Sequence, residues 1–415
     1  MRIYLLVAMC FCALVVRGQT PPVSHAGMDM SSMNATGMDA MNLASGSAVN
    51  PAGWSMPMVM NHFGAWNTTF MGTAFVVDTQ QSGARGHDKL YSANWMMATA
   101  QHRAGAQATL QFDIMLSLEP ATITSERYPL LFQTGETAYG KPLVDAQHPH
   151  NFVMAAGVHY VRHIAENTTL ELYAAPVGDP ALGPVAFAHR ASAAELPQAP
   201  LSHHWQDSTH IVYDVVTAGV AFNKMKLEAS GFHGAEPGEN RWTVRAGAID
   251  SWAGRLWFFP TSNWAAQVSV GRIAHPEALE AGDQVRATAS LHYSRAVAGG
   301  SWSSSVIWGR NHNTATRRDS NSYLAETVFP VTRKDFVTGR VERVEKDELG
   351  DGVIHTIGAY TVGYTRDVNL FQWIETGVGA NFNWYSVPDA IKPVYGNHPV
   401  GGNIFVRLRV RSAGK

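Results

Sequence analysis

Apolar and polar residues alternate along most of the chain between residue 63 and the C-terminus. In the segment VRATASLHYSR, Val285, Leu291 and Tyr293 fall on one face of a strand, whereas Arg286 and His292 fall on the other. Because successive side chains of a strand point to opposite sides, this pattern predicts strands with one apolar and one polar face.

The same alternation occurs in the segments NWAAQVSVGR, FQWIETGVGANFNW and NIFVRLRVR. Turn-forming residues separate such segments, and a new candidate strand begins about every ten residues, which is the length that crosses a bilayer at a tilt of ~45°. The pattern predicts about 14–16 strands. No apolar run of about 18 residues occurs in this part of the chain, so no transmembrane helix is predicted.

The apolar faces of these strands need a cover, which is either a second sheet in a soluble protein or the lipid around a barrel. The polar faces are rich in Arg, Glu, Asn and His, as in the lumen of a membrane barrel. Strand ends also carry many tryptophans, which is typical of the aromatic girdles of such barrels. These residues are Trp66, Trp205, Trp242, Trp252, Trp264, Trp302, Trp308 and Trp384. The chain is therefore predicted to be all-β, a closed transmembrane antiparallel β-barrel with a disordered N-terminal arm, and a soluble periplasmic β-protein is the alternative.

Composition narrows the possible partners. Only 15% of the residues are charged and the formal net charge is −2, so the sequence gives no indication of nucleic-acid binding. The two cysteines, Cys10 and Cys12, both lie in an apolar N-terminal run. Removal of that run excludes disulfides and thiolate metal sites from the rest of the chain.

The N-terminus predicts export. Arg2 precedes an apolar run that is too short to span a membrane, so residues 1–18 are predicted to be a cleaved signal peptide. Residues 19–62 are predicted to form a flexible methionine-rich arm and residues 63–415 an outer-membrane barrel. The predicted location is the bacterial outer membrane, with its lipid as the surrounding partner.

The predicted arm contains half of the methionines in the chain, eight of sixteen. They are Met28, Met30, Met33, Met38, Met41, Met56, Met58 and Met60, and His25 lies near them. Thioether sulfur is a soft ligand that selects Cu(I), so these residues are candidate copper ligands. In the segment MPMVM the alternative is ordinary packing, because methionine adapts to irregular apolar surfaces.

Histidines form a second group of candidate ligands. In VDAQHPHNFVMAAGVHYVRH, His148 and His150 precede a candidate strand and are predicted at a barrel mouth, and His159 and His163 are predicted to face the lumen. In that strand Phe152, Met154, Ala156, Val158 and Tyr160 are predicted to face lipid. The alternative is that the histidines connect loops to the barrel wall by hydrogen bonds. No serine motif accompanies them, so no enzymatic activity and no catalytic residue are predicted.

Three long connections interrupt the strands and are predicted to be external loops or plugs. They are SLEPATITSERYPLLFQTGETAYGKPLVDAQHPHN, APVGDPALGPVAFAHRASAAELPQAPLSHHWQDS and PVTRKDFVTGRVERVEKDELGDG. The second contains His189, His203 and His204, and the third is strongly charged, which favours a position clear of the membrane.

The arm SHAGMDMSSMNATGMDAMN, followed by a barrel, resembles the copper-resistance protein B family of Gram-negative outer membranes. The resemblance covers about a tenth of the chain, and it implies copper binding by the arm. The predicted function is non-catalytic metal handling in the cell envelope, with copper as the candidate bound ion. The alternative is a porin-like or structural outer-membrane barrel with no metal role.

Overall fold

A computed structural model describes residues 44–349, 352–368 and 370–411. These residues form an all-β protein, and its sixteen wall strands close into an antiparallel barrel, which confirms the predicted fold class and the upper end of the predicted strand number. The first wall strands are β2 Trp66–Gln81, β3 Lys89–Arg103, β4 Ala108–Leu116, β7 Val153–Ala165, β8 Thr168–Gly178, β9 Val212–Phe222, β10 Met225–His233 and β11 Ser251–Phe258. The others are β12 Trp264–Ile273, β13 Gln284–Val297, β14 Gly300–Asn313, β15 Asp319–Pro330, β16 Asp335–Lys346, β17 His355–Asp367, β18 Ile374–Ser386 and β19 Val400–Val410.

The barrel closes between β19 and β2, where Gly401 pairs with Gln81 and Arg409 pairs with Thr73. Three further strands, β1 Val59–Phe63, β5 Tyr128–Ala138 and β6 Lys141–Gln147, lie outside the wall order. β1 forms a hairpin with the start of β2, and β5 and β6 pair only with each other. Closure leaves no open edge in the wall, so every wall strand has a hydrogen-bonded neighbour on both sides.

The outer surface of the wall is apolar and the inner surface is polar, as the alternation predicts. Leu227, Val306 and Ile404 are at least 60% exposed, whereas Arg286 and Arg407 are almost fully buried. No helix among the described residues is long and apolar enough to cross a membrane. The apolar rows therefore point away from the lumen, toward the position that lipid occupies around a membrane barrel.

Exposed aromatic rings lie near both ends of the wall. Trp264 contacts Tyr293, and Tyr293 contacts Trp302, beside the short turns that join neighbouring strands. At the opposite end, Tyr360 stacks on Trp384 with ring centroids 5.4 Å apart. These two groups are placed as aromatic girdles are. The interpretation of Trp205 as a girdle residue is wrong, because this residue is 4% exposed and lies inside the barrel.

The lumen is filled by three segments, which we call the plug: residues 44–58, 117–152 and 179–211. Residues 179–211 are buried almost throughout, and they connect β8 to β9. Residues 117–152 connect β4 to β7 and include the β5–β6 hairpin. The first two long connections are therefore plugs, which is one of the two predicted positions.

The first plug segment belongs to the predicted flexible arm. Ala44, Ala48 and Val49 pack against Trp257 and Phe259 of the wall. Residues 44–58 are thus folded into the barrel, and β1 continues them along β2. The rest of the arm and the signal peptide lie outside the described residues.

The third long connection is mostly a strand, so its prediction as a charged external loop is wrong. β16 crosses the wall with Val337 and Val341 exposed and with Thr338, Arg340 and Glu342 buried. The charges face the lumen, where Arg340 Nε lies 2.8 Å from Glu326 Oε2 of β15. Ion pairing inside the barrel, and not exposure to water, accommodates these charges.

The lipid face predicted for β7 is wrong at its first residues. Leu116 of β4 pairs with Val153 and Met115 pairs with Ala155, so Met154 is an extra residue in a bulge. Met154 is consequently 1% exposed, whereas Val158 and Tyr160 lie on the outer side with Phe112 and Leu110 as partners. A bulge shifts the alternation by one residue, which a strict period of two does not show.

Candidate functional site

Histidines from two plug segments meet inside the barrel. The β4–β7 connection contributes two residues just after β6, and the β8–β9 connection contributes four residues in short helical turns. They are His148, His150, His189, His203, His204 and His210, and we call them the histidine cluster. His148 and His150, which are predicted at a barrel mouth, are both largely buried.

The rings of this cluster form a connected chain. The centroid of His204 lies 5.0 Å from that of His203 and 5.8 Å from that of His148. The centroid of His210 lies 5.3 Å from that of His203 and 5.4 Å from that of His150. The sequence HHWQDSTH folds as consecutive single turns, which places His203, His204 and His210 side by side.

Asp207 orients two of these rings. His203 Nδ1 lies 2.7 Å from Asp207 Oδ1, and His210 Nδ1 lies 2.7 Å from the Asp207 backbone oxygen. Arg190 Nη1 also donates to the Asp207 carboxylate, at 2.9 Å. Because Nδ1 of His203 and of His210 contacts Asp207, the Nε2 atoms of both rings point away from Asp207.

The β5–β6 hairpin brings a carboxylate and a glycine to the cluster. His148 Nε2 lies 2.9 Å from Glu136 Oε1, and Glu136 also pairs with Arg241. Glu136 has a positive φ of 60°. At the neighbouring Gly135, with a φ of 110°, a Cβ atom would lie 2.6 Å from two atoms of the His204 ring. The hairpin is therefore shaped to fit against the two imidazoles.

Burial favours the neutral form of four imidazoles of the plug, those of His148, His189, His204 and His210. Loss of hydration lowers the pKa of His148, although Glu136 opposes this shift, and it lowers the pKa of His204 and His210 further. Burial lowers the pKa of His189 to about 3. A neutral imidazole has a free lone pair on one ring nitrogen, which is the form that binds a transition metal.

Four carboxylates extend from the cluster toward the surface. One nitrogen of His204 and carboxylate oxygens of Glu236 and Glu277 lie within 4.8 Å of one another, and Glu277, Glu280 and Glu348 satisfy the same limit. Glu280 is exposed, whereas Glu236 and Glu277 are half-buried. This series of oxygens leads from the open end of the barrel, at the side of the long connections, to the imidazoles.

The other two predicted histidine ligands do not join the cluster. His159 Nε2 lies 3.0 Å from Asp113 Oδ1 of the neighbouring strand, and its ring stacks on Tyr173. His163 lies on the same strand face as His159 but is exposed near the turn between β7 and β8, with Nδ1 3.2 Å from Thr169 Oγ1. The contact between His159 and Asp113 joins two wall strands, and it therefore differs from the loop-to-wall hydrogen bonds of the alternative.

The predicted methionine ligands fall into two sets. Met28, Met30, Met33, Met38 and Met41, together with His25, lie outside the described residues, so their copper binding stays a prediction. Met56 and Met58 pack against a row of buried methionines on neighbouring strands, and Met60 lies on β1. That row consists of Met71, Met97, Met115 and Met154. This arrangement matches the packing alternative for MPMVM.

Sequence reasoning missed one member of the cluster and two of its partners. His210, Asp207 and Glu136 carry no recognisable motif, although the spacing of His203 and Asp207 is the i, i+4 spacing of one helical turn. That spacing is the one local signal that indicates the orienting contact.

No family model matches the chain, and no curated protein matches it. Solved structures do match. An anion-selective porin from Comamonas acidovorans is 12% identical, with a TM-score of 0.53 over 82% of this chain and 99% of the porin. OmpF of Salmonella typhi, solved in complex with daunomycin, is 8% identical, with a TM-score of 0.53 over 84% of this chain and 99% of OmpF. At these identities the similarity is one of fold, and the chain has the fold of outer-membrane porin barrels.

Proposed function

We propose that this protein is a non-catalytic, porin-like barrel of the bacterial outer membrane, whose pore is closed at rest by its own plug. The observation that carries the proposal is the combination of an apolar, aromatic-rimmed outer surface with a charged lumen. Arg255 and Arg286 point inward and are almost fully buried, whereas Leu227 and Val306 point outward and are exposed. That distribution suits a barrel in lipid and is the reverse of a soluble β-protein.

The orientation follows from the connections. The start of β2 and the end of β19 lie at the end of the barrel where neighbouring strands are joined by short turns. In outer-membrane barrels the short turns face the periplasm and the longer loops face outward. The two long plug connections therefore enter the lumen from the outer side, and residues 44–58 enter it from the periplasmic side.

Ion pairs anchor the plug to the wall, and the plug leaves small cavities in the lumen. Arg190 of the plug pairs with Glu326 of the wall, and Glu195 of the plug pairs with Arg407 and Arg409. Two cavities in the lumen have volumes of about 60 Å³ and 20 Å³, the space of a few water molecules. Solute passage therefore requires the plug to move.

Planar-bilayer conductance of variants that lack the plug connections tests this proposal. Both connections can be removed, because the two ends of each connection are adjacent. Ser117 donates its backbone N–H to the Phe152 oxygen at 2.9 Å, and Gly178 pairs with Val212. Short Gly-Gly or Asn-Gly links can thus replace residues 118–151 and 179–211 without opening the wall. We expect few conductance steps from the intact protein and frequent, long-lived steps from the variant that lacks both segments.

Heat-modifiable mobility on a denaturing gel verifies that each variant has a folded barrel. Folded variants without either plug connection that remain electrically silent would contradict a channel function. An intact protein that conducts as often as the double-deletion variant would contradict closure by the plug.

Copper handling by the methionine-rich arm is a second candidate function. One observation favours it: Met56 lines a cavity in the plug together with His150 and His189, so soft and imidazole ligands lie close together. Its test is a Cu(I) titration of the full chain and of a variant with Leu at Met28, Met30, Met33, Met38 and Met41. An unchanged affinity would eliminate these five methionines as copper ligands.

A further inference from the structure

We propose that His148, His203 and His204 bind one divalent first-row transition-metal ion, such as Zn²⁺. This inference goes beyond the proposed channel function and does not depend on it. The ion would lie inside the barrel, between the two long plug connections, and would join them.

The three imidazoles are close enough to share an ion. One ring nitrogen from each lies within 4.8 Å of the other two. Around a tetrahedral zinc ion, with Zn–N distances of about 2.0–2.1 Å, ligand nitrogens are ~3.3 Å apart. Side-chain rotations that move each nitrogen by about 1 Å bring the three nitrogens to that spacing. Three histidines are a known zinc donor set.

Two of the rings already have the second contact that metal-bound histidines have. His203 places Nδ1 against the Asp207 carboxylate at 2.7 Å, and His148 places Nδ1 3.0 Å from the Pro149 oxygen. A proton on Nδ1 leaves the lone pair of Nε2 for the ion, and the oxygen partner fixes the ring orientation. A carboxylate or carbonyl behind each ligand is the usual arrangement at metal sites.

The third ring, that of His204, has no such contact, which indicates that this ring lacks its bonding partner. His204 is 5% exposed, and neither of its ring nitrogens has a hydrogen-bond partner among the described residues. A buried polar group without a partner costs about 1–3 kcal/mol. The Gly135 backbone fits closely against this ring, so the ring is held at the site and is not turned toward water.

The contact between His148 and Glu136 depends on which ring nitrogen carries the proton. If Nδ1 of His148 donates to the Pro149 oxygen, the bare Nε2 faces a carboxylate oxygen at 2.9 Å. Two acceptors at that distance repel each other, and a metal ion bound at Nε2 removes this repulsion because it takes up the lone pair. Glu136 would then be placed to accept a hydrogen bond from a metal-bound water.

Carboxylates lie next to the site, toward the outer end of the barrel. Glu280, Glu348 and Glu277 form one group of oxygens, and Glu277 joins Glu236 and His204 in the next. Imidazole suits transition-metal ions better than carboxylate oxygen does, so an ion that these oxygens hold weakly would be bound more tightly at the nitrogen site.

The experiment uses the full chain, refolded in detergent and freed of metal with a chelator. Co²⁺ is added first, because tetrahedral Co²⁺ has intense visible absorption, and Zn²⁺ is then titrated against a chromophoric chelator. We expect one equivalent of bound ion in the intact protein. We expect His204→Ala and the double variant His148→Ala/His203→Ala to lose it, and Asp207→Asn to bind about 10–100-fold more weakly.

The matched control is His275→Ala, which removes a histidine whose side chain is 77% exposed, and this variant should bind as the intact protein does. Heat-modifiable gel mobility verifies folding, and His204→Gln replaces His204→Ala if the alanine variant fails to fold. The proposal is overturned if the intact protein binds Zn²⁺ no more tightly than His204→Ala or His204→Gln, or if His275→Ala causes an equal loss. The titration requires no conductance, so its failure is distinct from failure of the channel proposal.

Discussion

At the residue scale, Gly135 fits closely against the His204 ring of the candidate site. Gly135 has a φ of 110°, and a Cβ there would meet the imidazole at 2.6 Å. Gly140, in the same hairpin, has a φ of 67° and has open space where its Cβ would lie. Both glycines therefore have a left-handed backbone, but an added Cβ atom would collide with a side chain at Gly135 and not at Gly140.

We expect Gly135→Ala to lower the free energy of unfolding by about 2–4 kcal/mol, because a steric collision adds to the backbone strain. Gly140→Ala should cost about 1–2 kcal/mol, from backbone strain. Urea titrations of the refolded proteins, followed by tryptophan fluorescence, measure both values. Equal losses would mean that His204 moves away freely and is not held by the hairpin.

At the element scale, each wall strand divides its residues between lipid and lumen. Val306 lies at the middle of β14, is 60% exposed, and pairs with Leu291 of β13, which is also exposed. A charge at the bilayer midplane is costly, and the same charge near the interface costs little. Val331 offers that comparison, because it lies in the turn after β15 and is 57% exposed.

We expect Val306→Arg to lower the unfolding free energy in lipid vesicles by about 2–4 kcal/mol, whereas Val331→Arg should change it by about 1 kcal/mol or less. Urea unfolding in vesicles provides the measurement. If both variants remain as stable as the intact protein, the apolar face of β14 does not contact hydrocarbon.

At the scale of the whole molecule, buried ion pairs join plug and wall. Arg190 Nε lies 2.6 Å from Glu326 Oε1, and Arg190 Nη1 lies 2.9 Å from Asp207 Oδ2. Arg190 and Glu326 are fully buried, so removal of the cation leaves charge without a full set of partners. The same contact connects the wall, through Asp207, to the histidine cluster.

We expect Arg190→Met to destabilise the folded protein by about 3–5 kcal/mol and to increase the frequency of channel openings, because the plug loses an anchor. Arg366→Met is the control, since Arg366 pairs with Asp335 at the surface and is 57% exposed, and it should change neither quantity. Stability is measured by urea titration and opening by planar-bilayer conductance. A stable, electrically unchanged Arg190→Met variant would argue against an anchoring role.

The candidate site was only partly predictable, for reasons that particular residues show. His148 and His150 stood out because two histidines flank a proline, and His203 and His204 are adjacent in sequence. Their meeting was not predictable, because the two pairs lie in separate connections that approach each other only after the barrel has closed. Glu136 reaches His148 through a left-handed backbone conformation that no sequence pattern marks.

The sequence by itself determined the all-β class, the approximate number of wall strands and, in regular strands without a bulge, the side that faces outward, because the direction of a side chain in a strand depends on local alternation. Only the tertiary structure decided what fills the lumen. Whether a connection folds inward depends on contacts between distant residues, such as Arg190 with Glu326 or Ser202 with Glu342. Those contacts determine whether the lumen is open or is filled by the plug and its histidines.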